Sequence, residues 1–384
     1  MSAPAPRLRL GMVGGGQGAF IGAVHLMASR LDGQFDFVAG ALSSTPERAM
    51  ASGQDAGLAP DRIYTSWAEM AEREAARPDG IEAVAIVTPN HAHFEPAMAF
   101  LDKGIHVICE KPMTATLVEA QRLHDAAERS ACAFILTHNY SGYPMVRQAR
   151  EMVAAGALGD IRVVQAEYPQ GWLSSRQEEA GTKQAEWRTD PARAGAGGSI
   201  GDIGTHAYHL AAFVTGMYAE SLAADLTSFV PGRALDDNAH IMLRYPGGAK
   251  GMIWSSQVAI GHENGLRLRV YGTRGSLAWS QEEPNTLTHC ADGEAPRLIT
   301  RGSPVAGDAA NRVSRIPAGH PEGYLEGFAT IYREAAEIIR AAQRGENPAP
   351  DVMAPTSADG LEGLRFIDAC VRSNGQNAGW VRLS

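Results

Sequence analysis

The apolar positions of this chain change their period once, near residue 160. Before that point, short continuous apolar runs alternate with longer stretches of helical spacing. Leu8–Val13, Phe35–Leu42, Ala83–Val87, Ile105–Cys109 and Cys132–Thr137 are the runs. Strands of this kind are buried on both faces, as in a parallel sheet covered by helices. Helical segments are expected from Ala19 to about Arg30, at Glu95–Lys103 and at Leu117–Arg129. Asn90 is placed to cap the second of these and Gly104 to stop it. The alternation predicts an α/β region, a right-handed, doubly wound parallel sheet. Beyond residue 160, Ile161–Tyr168, Asn238–Tyr245, Ala249–Val258, Leu266–Tyr271 and Ser276–Trp279 follow one another with few helices between them. They predict an α+β domain with a large, mostly antiparallel open sheet, one face of which can cover a partner. Helices at Glu322–Arg344 and Ser357–Ser373 close the chain, and the Gly/Pro-rich stretch Glu282–Pro317 reads as loop. The expected domains are therefore 1–140 and 141–384, with Met1–Arg7 as a frayed lead-in.

Composition narrows this picture mainly by exclusion. With 384 residues the chain is long enough for two cores. Apolar residues make up 45% and charged residues 20%, the profile of a soluble globular protein. A net charge of −9 argues against a nucleic-acid partner. No apolar run is long enough to span a membrane, and the first residues lack a signal-peptide core. Cys109, Cys132, Cys290 and Cys370 lie far apart, without the spacing of a metal site. The expectation is a cytoplasmic protein with reduced thiols, no metal and no membrane partner.

The candidate chemistry begins where the first strand runs into Gly14-Gly15-Gly16-Gln17-Gly18-Ala19. Gly14, Gly16 and Ala19 form the G-x-G-x-x-G/A pattern between a strand and a helix. It allows a tight turn and close approach of a dinucleotide pyrophosphate to the helix N-terminus. An acid at the end of the second strand would grip the ribose hydroxyls of NAD. Here Ser43 and Ser44 stand at that end with Arg48 just beyond, while Asp36 lies near the strand's start. Without a carboxylate to repel a 2′-phosphate, the expectation tilts from NAD towards NADP. Thr88, Asn90 and His93 form a loop at the same sheet edge. The strand ending at Cys109 turns abruptly into Glu110-Lys111-Pro112. Pro112 keeps Lys111 out of helical geometry, so the lysine is displayed at a strand end, where ligands of open α/β sheets bind.

In the second half, Gly197–Leu210 interrupts the strand pattern with a glycine-rich helical stretch. Asp202 and His206, four residues apart, share one helical face. A carboxylate beside an imidazole orients it and raises its basicity, which suits a general base for an alcohol proton. Tyr140, Tyr143, Trp172 and Trp187 offer flat rings for sugar C–H faces. Arg188, Asp190 and His320 offer polar groups for hydroxyls.

These motifs together resemble the glucose–fructose oxidoreductase/inositol dehydrogenase/MocA family over nearly the whole chain. The resemblance rests on Gly14–Ala19, Thr88-Pro89-Asn90 with His93, Glu110-Lys111-Pro112, and Gly197-Gly198 through Asp202-x-x-x-His206. It implies a Rossmann domain followed by an α/β domain whose open sheet carries a homodimer or homotetramer interface. It also implies NAD- or NADP-dependent oxidation of a sugar, glycoside or cyclitol, or reduction of the matching ketone. Lys111, Asp202 and His206 would then be catalytic. Gly14, Gly16, Gln17, Ala19, Ser43, Ser44, Arg48, Thr88, Asn90, His93, Glu110 and Lys111 would hold the cofactor. The chain departs from the family pattern at Ser43, in place of an acid, and at His209, where an aspartate is usual. A dinucleotide-binding regulatory subunit without catalysis is the alternative, and it would not need Lys111, Asp202 and His206 together.

Overall fold

The computed structural model describes residues 5–383, so the first four residues of the expected lead-in lie outside the described residues. Small and β-branched residues, buried on both faces, form the strands of a first unit. They are β1 (Leu8–Gly14), β2 (Phe35–Ala41), β3 (Ala83–Val87), β4 (His106–Cys109) and β5 (Phe134–Leu136). The strands pair in parallel in the order β2-β1-β3-β4-β5. An isolated parallel bridge between Gly40 and Ile63 extends the sheet beyond β2. The connecting helices are α1 (Phe20–Leu31), α2 (Pro46–Asp55), α3 (Trp67–Ala76), α4 (Phe94–Asp102) and α5 (Leu117–Arg129). Gly104, at φ 77°, follows the end of α4 as expected. Asn90 does not cap α4. It opens a separate 3-10 turn, and His93 occupies the position before the helix. The strand order reverses between β1 and β3, and the crevice beyond their carboxyl ends is where such sheets take ligands.

The second unit contains α6 (Pro144–Ala154), β6 (Ile161–Pro169), α7 (Lys183–Arg188), α8 (Pro191–Ala194), α9 (Thr205–Thr215), β7 (Ser221–Thr227), β8 (Asn238–Arg244) and β9 (Lys250–Ser256). It continues through β10 (Arg267–Gly272), β11 (Gly275–Ser280), β12 (Thr286–Ala291), β13 (Arg297–Thr300) and α10 (Asp308–Val313). Long helices α11 (Tyr324–Gln343) and α12 (Ser357–Gly375) precede a last short strand, β14 (Val381–Arg382). The nine strands form one sheet in the order β13-β12-β11-β10-β6-β9-β8-β7-β14, antiparallel except for β6 beside β9. Alternation decides its two faces. In β8, Ala239, Ile241 and Leu243 are buried, while His240, Met242 and Arg244 are exposed. Helices α6 and α9 pack against the sheet.

Glu282–Pro317 is not the loop that its glycines and prolines suggest. It holds β12, β13 and α10. The breakers fall in the connections, and pairing of β12 with β11 and β13 supplies the order that local pattern lacks. The units also interleave along the chain. The first comprises the chain up to Thr114, Val118–Asn139 and Leu325–Leu361; the second comprises Ala115–Leu117, Tyr140–Tyr324 and the chain from Glu362. The expected second segment, 141–384, is therefore discontinuous. Its residues Leu325–Leu361 return to the first unit, where Tyr332 packs edge-on against His25 and Phe35.

Candidate active site

The glycine turn after β1 is shaped by what it lacks. Gly14, Gly15 and Gly18 have φ of 81°, 75° and 77°, in the region that disfavours a side chain. A Cβ on Gly14 would stand 2.8 Å from the Thr88 side chain, and one on Gly16 would stand 2.5 Å from the Leu42 carbonyl. Helix α1 starts behind Ala19, with no side-chain cap and no acid in its first turn. Its positive end thus carries no side-chain counter-charge, which suits a pyrophosphate. The turn therefore fits a dinucleotide. The residue that lets helix and turn pack closely is Gly22, where a Cβ would meet Gly15 at 2.1 Å. Gln17 has a different place from the one expected. Its N–H donates to Ser52 at 3.0 Å and its side chain to Asp55 at 2.7 Å, tying the turn to α2.

At the end of β2, Ser43 Oγ accepts the Thr45 N–H at 3.1 Å, while Ser44 and Arg48 are exposed. Asp36 pairs with Arg7 near the other end of the strand, as its position implied. At the end of β3, Thr88 donates to the Ala92 carbonyl at 2.8 Å and Asn90 is buried. His93 is fully buried. Its ring nitrogens lie 2.8 Å from the Thr88 carbonyl and 2.9 Å from the Pro112 carbonyl. It staples one strand-end loop to the next.

Glu110 turns inward from the end of β4. One oxygen accepts from Thr137 at 2.7 Å and from His25 at 2.9 Å; the other accepts the N–H of Lys111 at 3.1 Å. The far nitrogen of His25 meets the Tyr332 hydroxyl at 2.7 Å. Burial alone would raise the Glu110 pKa. His25, Lys111 and Thr137 outweigh it and hold the carboxyl below its ordinary value. Burial pushes the Tyr332 phenol well up, and the Glu110 charge adds to this. Glu110 therefore anchors the strand end from inside the first unit. Lys111 is partly exposed.

In the second unit, the segment Ile200–Gly204 forms a single π-helical turn that runs into α9. Such turns are rare and concentrate at functional sites. Asp202 lies in the turn and His206 in the first turn of α9. Arg188 and Gln257 donate to the same oxygen of Asp202 at 3.0 and 2.9 Å. His206 is buried and sits edge-on to Tyr140, with ring centroids 4.9 Å apart. The Tyr140 hydroxyl meets that of Tyr168 at 2.5 Å, and Tyr168 donates to Asn264 at 2.6 Å. Gln170 donates to the same Asn264 oxygen and accepts from Trp172 at 3.1 Å. Burial raises both phenol pKa values, so these hydroxyls remain neutral hydrogen-bonding groups.

Residues 8–140 match the Oxidoreductase family, NAD-binding Rossmann fold, and residues 146–278 match the GFO/IDH/MocA C-terminal domain. The chain belongs to the GFO/IDH/MocA oxidoreductase family. It is similar to an oxidoreductase from Sinorhizobium meliloti of known structure, with 55% identity, TM-score 0.89, and coverage of 98% of this chain and 100% of that one. An inositol dehydrogenase homolog from Azotobacter vinelandii, solved with NADH and myo-inositol, is 36% identical at TM-score 0.92, with 98% of each chain covered. Levoglucosan dehydrogenase from Pseudarthrobacter phenanthrenivorans is 27% identical over 97% of each chain. The chain is thus an NAD-binding dehydrogenase-type enzyme of this family.

Within this family member, several sequence-predicted residues have partners inside the second unit. Arg188, expected to hold a substrate hydroxyl, is engaged by Asp202, and its guanidinium stacks 4.2 Å over Trp187. Asp190 caps α8 through the Ala192 N–H. Tyr143 is buried, stacked on Tyr140 and edge-on to Trp279. His320 is exposed on the connection before α11, its carbonyl held by Arg301. Sequence reasoning missed Tyr168, Gln170, Gln257 and Asn264, which lie far apart along the chain without a shared motif. It also missed His25, whose one signal was a polar residue on the buried face of α1. Among the described residues, no His, Cys, Asp and Glu group is arranged to hold a metal, and no helix is long and apolar enough to cross a membrane.

Proposed function

We propose that this enzyme oxidises a secondary alcohol of a sugar, glycoside or cyclitol, or reduces the matching ketone, with a nicotinamide dinucleotide. The observation that carries the reading is the buried imidazole of His206, held against Tyr140 in the first turn of α9, which follows directly on a π-helical turn bearing an arginine-anchored carboxylate. When bound, the dinucleotide supplies the hydride acceptor or donor. His206 takes the hydroxyl proton in the oxidation direction and returns it in the other. Asp202 stabilises the charged imidazole, and Arg188 and Gln257 fix that carboxylate. Lys111 donates a hydrogen bond to the reacting oxygen. Tyr140, Trp172 and the Asn264–Gln170 pair present rings and amides to a polyhydroxylated ring. The names of the myo-inositol and levoglucosan relatives support this substrate class.

NAD(H) is the proposed cofactor, supported by the relative solved with NADH. The open strand end at Ser43, Ser44 and Arg48 leaves 2′-phosphate unopposed, so use of NADP is proposed as well. The exposed sheet face, with Met242 paired beside Met252 and Tyr271 further along, is proposed as the surface joining copies in a homo-oligomer. The test is cofactor reduction against a panel of sugars, glycosides and cyclitols, with NAD and NADP in parallel. Saturable turnover of a polyol supports the reading. Tight cofactor binding with no turnover across the panel in either direction favours the regulatory subunit.

A further inference from the structure

Asp236 lies on the connection entering β8 and has no role in the scheme above. One of its carboxylate oxygens accepts the N–H of Gly198 at 2.7 Å and the other accepts that of Ile200 at 2.9 Å. Its own carbonyl accepts the N–H of Ser199 at 2.8 Å. Three successive N–H groups at the entry of the π-helical turn therefore end on one residue. The approach is close, since a Cβ on Gly198 would stand 2.1 Å from the Asp236 carbonyl oxygen. Ser199 is in turn locked to β9. Its hydroxyl lies 2.6 Å from that of Ser255, and Ser255 donates to the Ser199 carbonyl at 3.0 Å. Asp202 and His206 come immediately after this clamp.

We infer that Asp236 is a positioning residue for the reaction: it fixes the entry of the π-helical turn and, through it, the placement of Asp202 and His206, without touching substrate or cofactor. The inference rests on the roles proposed for those two residues.

The neighbouring acid shows why a purely structural role is the poorer account. Asp237 is paired with Arg233 at 3.4 Å and also accepts the N–H groups of Phe229 and Val230. Among the described residues no cation pairs with Asp236. The titratable groups facing it are Asp237 and the buried thiol of Cys370 on α12. Burial pushes its carboxyl up to about 6, although the N–H groups of Ile200 and Gly198 pull the other way, and the Asp237 charge adds to the rise. Keeping this group ionised at neutral pH therefore works against the fold. It does provide two acceptor oxygens for two N–H groups, which a neutral amide cannot.

Asp236→Asn tests this, because it keeps one acceptor and opposes the other N–H with an amide nitrogen. We expect kcat to fall roughly tenfold or more, since small misplacements of acid–base groups are costly in rate. KM and cofactor Kd should stay within about twofold, and Tm at pH 8 should hold or rise. Unchanged kcat would overturn the inference. So would a parallel fall of kcat, cofactor affinity and Tm, or failure to fold, since each marks a support of the fold. Hydrogen exchange on the wild-type enzyme gives a readout independent of activity. The amides of residues 198–200 should be strongly protected, and rapid exchange there would equally overturn it. If His206→Ala kept full turnover, the proposed catalytic roles would fail while the exchange result still stood, so the two failures are separable.

Discussion

Two carboxylates, one in each unit, are held in opposite ways. Glu110 ends a parallel strand and is met by His25, Thr137 and its own following N–H, and its pKa falls below the ordinary value. Asp236 precedes an antiparallel strand and, among the described residues, is met by backbone N–H groups, and its pKa rises to about 6. Burial opposes ionisation in both. A side-chain partner able to carry the opposite charge overcomes that opposition, and two backbone dipoles do not. The first unit therefore displays Lys111 from a rigid, compensated strand end. The second carries His206 in the first turn of α9, just after a glycine-rich turn secured by an acid whose charge is disfavoured where it lies. The first unit's carboxylate is compensated where it lies, and the second unit's is not.

The strongest way to sharpen this contrast is to remove His206 and Lys111 themselves. His206→Ala and Lys111→Ala should each lower kcat by roughly 10²–10⁴, with cofactor affinity little changed in a titration. In the oxidation direction the wild-type rate should rise with pH as His206 loses its proton. Near-wild-type turnover of His206→Ala across the pH range would move the base assignment to Lys111.

Next in size is the loss of the Glu110 partner. His25→Ala leaves a buried carboxylate without its imidazole and should destabilise the fold by about 3–5 kcal/mol in denaturant unfolding. A loss under about 1 kcal/mol would show that Glu110 is not compensated as described, and the contrast with Asp236 would collapse.

The pH dependence of stability should separate the two acids by sign. Glu110, with a depressed folded pKa, contributes stability above its unfolded value, and that contribution disappears as the pH drops through the folded one. Asp236, with a raised folded pKa, does the reverse. Its contribution is complete below about pH 4 and disappears as the pH rises through about 6, an effect of up to about 3 kcal/mol. Unfolding titrations of Glu110→Gln should flatten the acid arm, and those of Asp236→Asn should flatten the slope between pH 4 and 6. The same slope in wild type and Asp236→Asn would refute the second half of the comparison.

The smallest expected effect lies at the cofactor rim. Ser43→Asp adds an acceptor for ribose and repels a 2′-phosphate. The kcat/KM ratio for NAD over NADP should rise, by roughly tenfold if one charge–phosphate repulsion of about 1.4 kcal/mol is added. An unchanged ratio would show that the ribose is recognised elsewhere in the unit.

Local pattern was sufficient wherever a local cause acts. Ala83–Val87 and Leu117–Arg129 have the bounds read from the chain, because a buried apolar run and a 3.6-residue period are properties of the segment itself. The same holds for the glycine turn after β1, where positive φ and lack of room for a Cβ require glycine. Lys111 at a strand end and Asp202 four residues before His206 were likewise written in consecutive residues, and so was the family resemblance they carry. Tertiary structure alone decided the partners. It made strands of β12 and β13 by pairing, and it turned Glu110 onto His25, Arg188 onto Asp202 and Asp236 onto Gly198 and Ile200. These partners lie 85, 14, 38 and 36 residues apart. Their juxtaposition depends on how whole strands and helices pack, and no repeat within a segment encodes it. Burial, which pushes both carboxylates up, and the partners that pull Glu110 back below its ordinary value arise only from that packing.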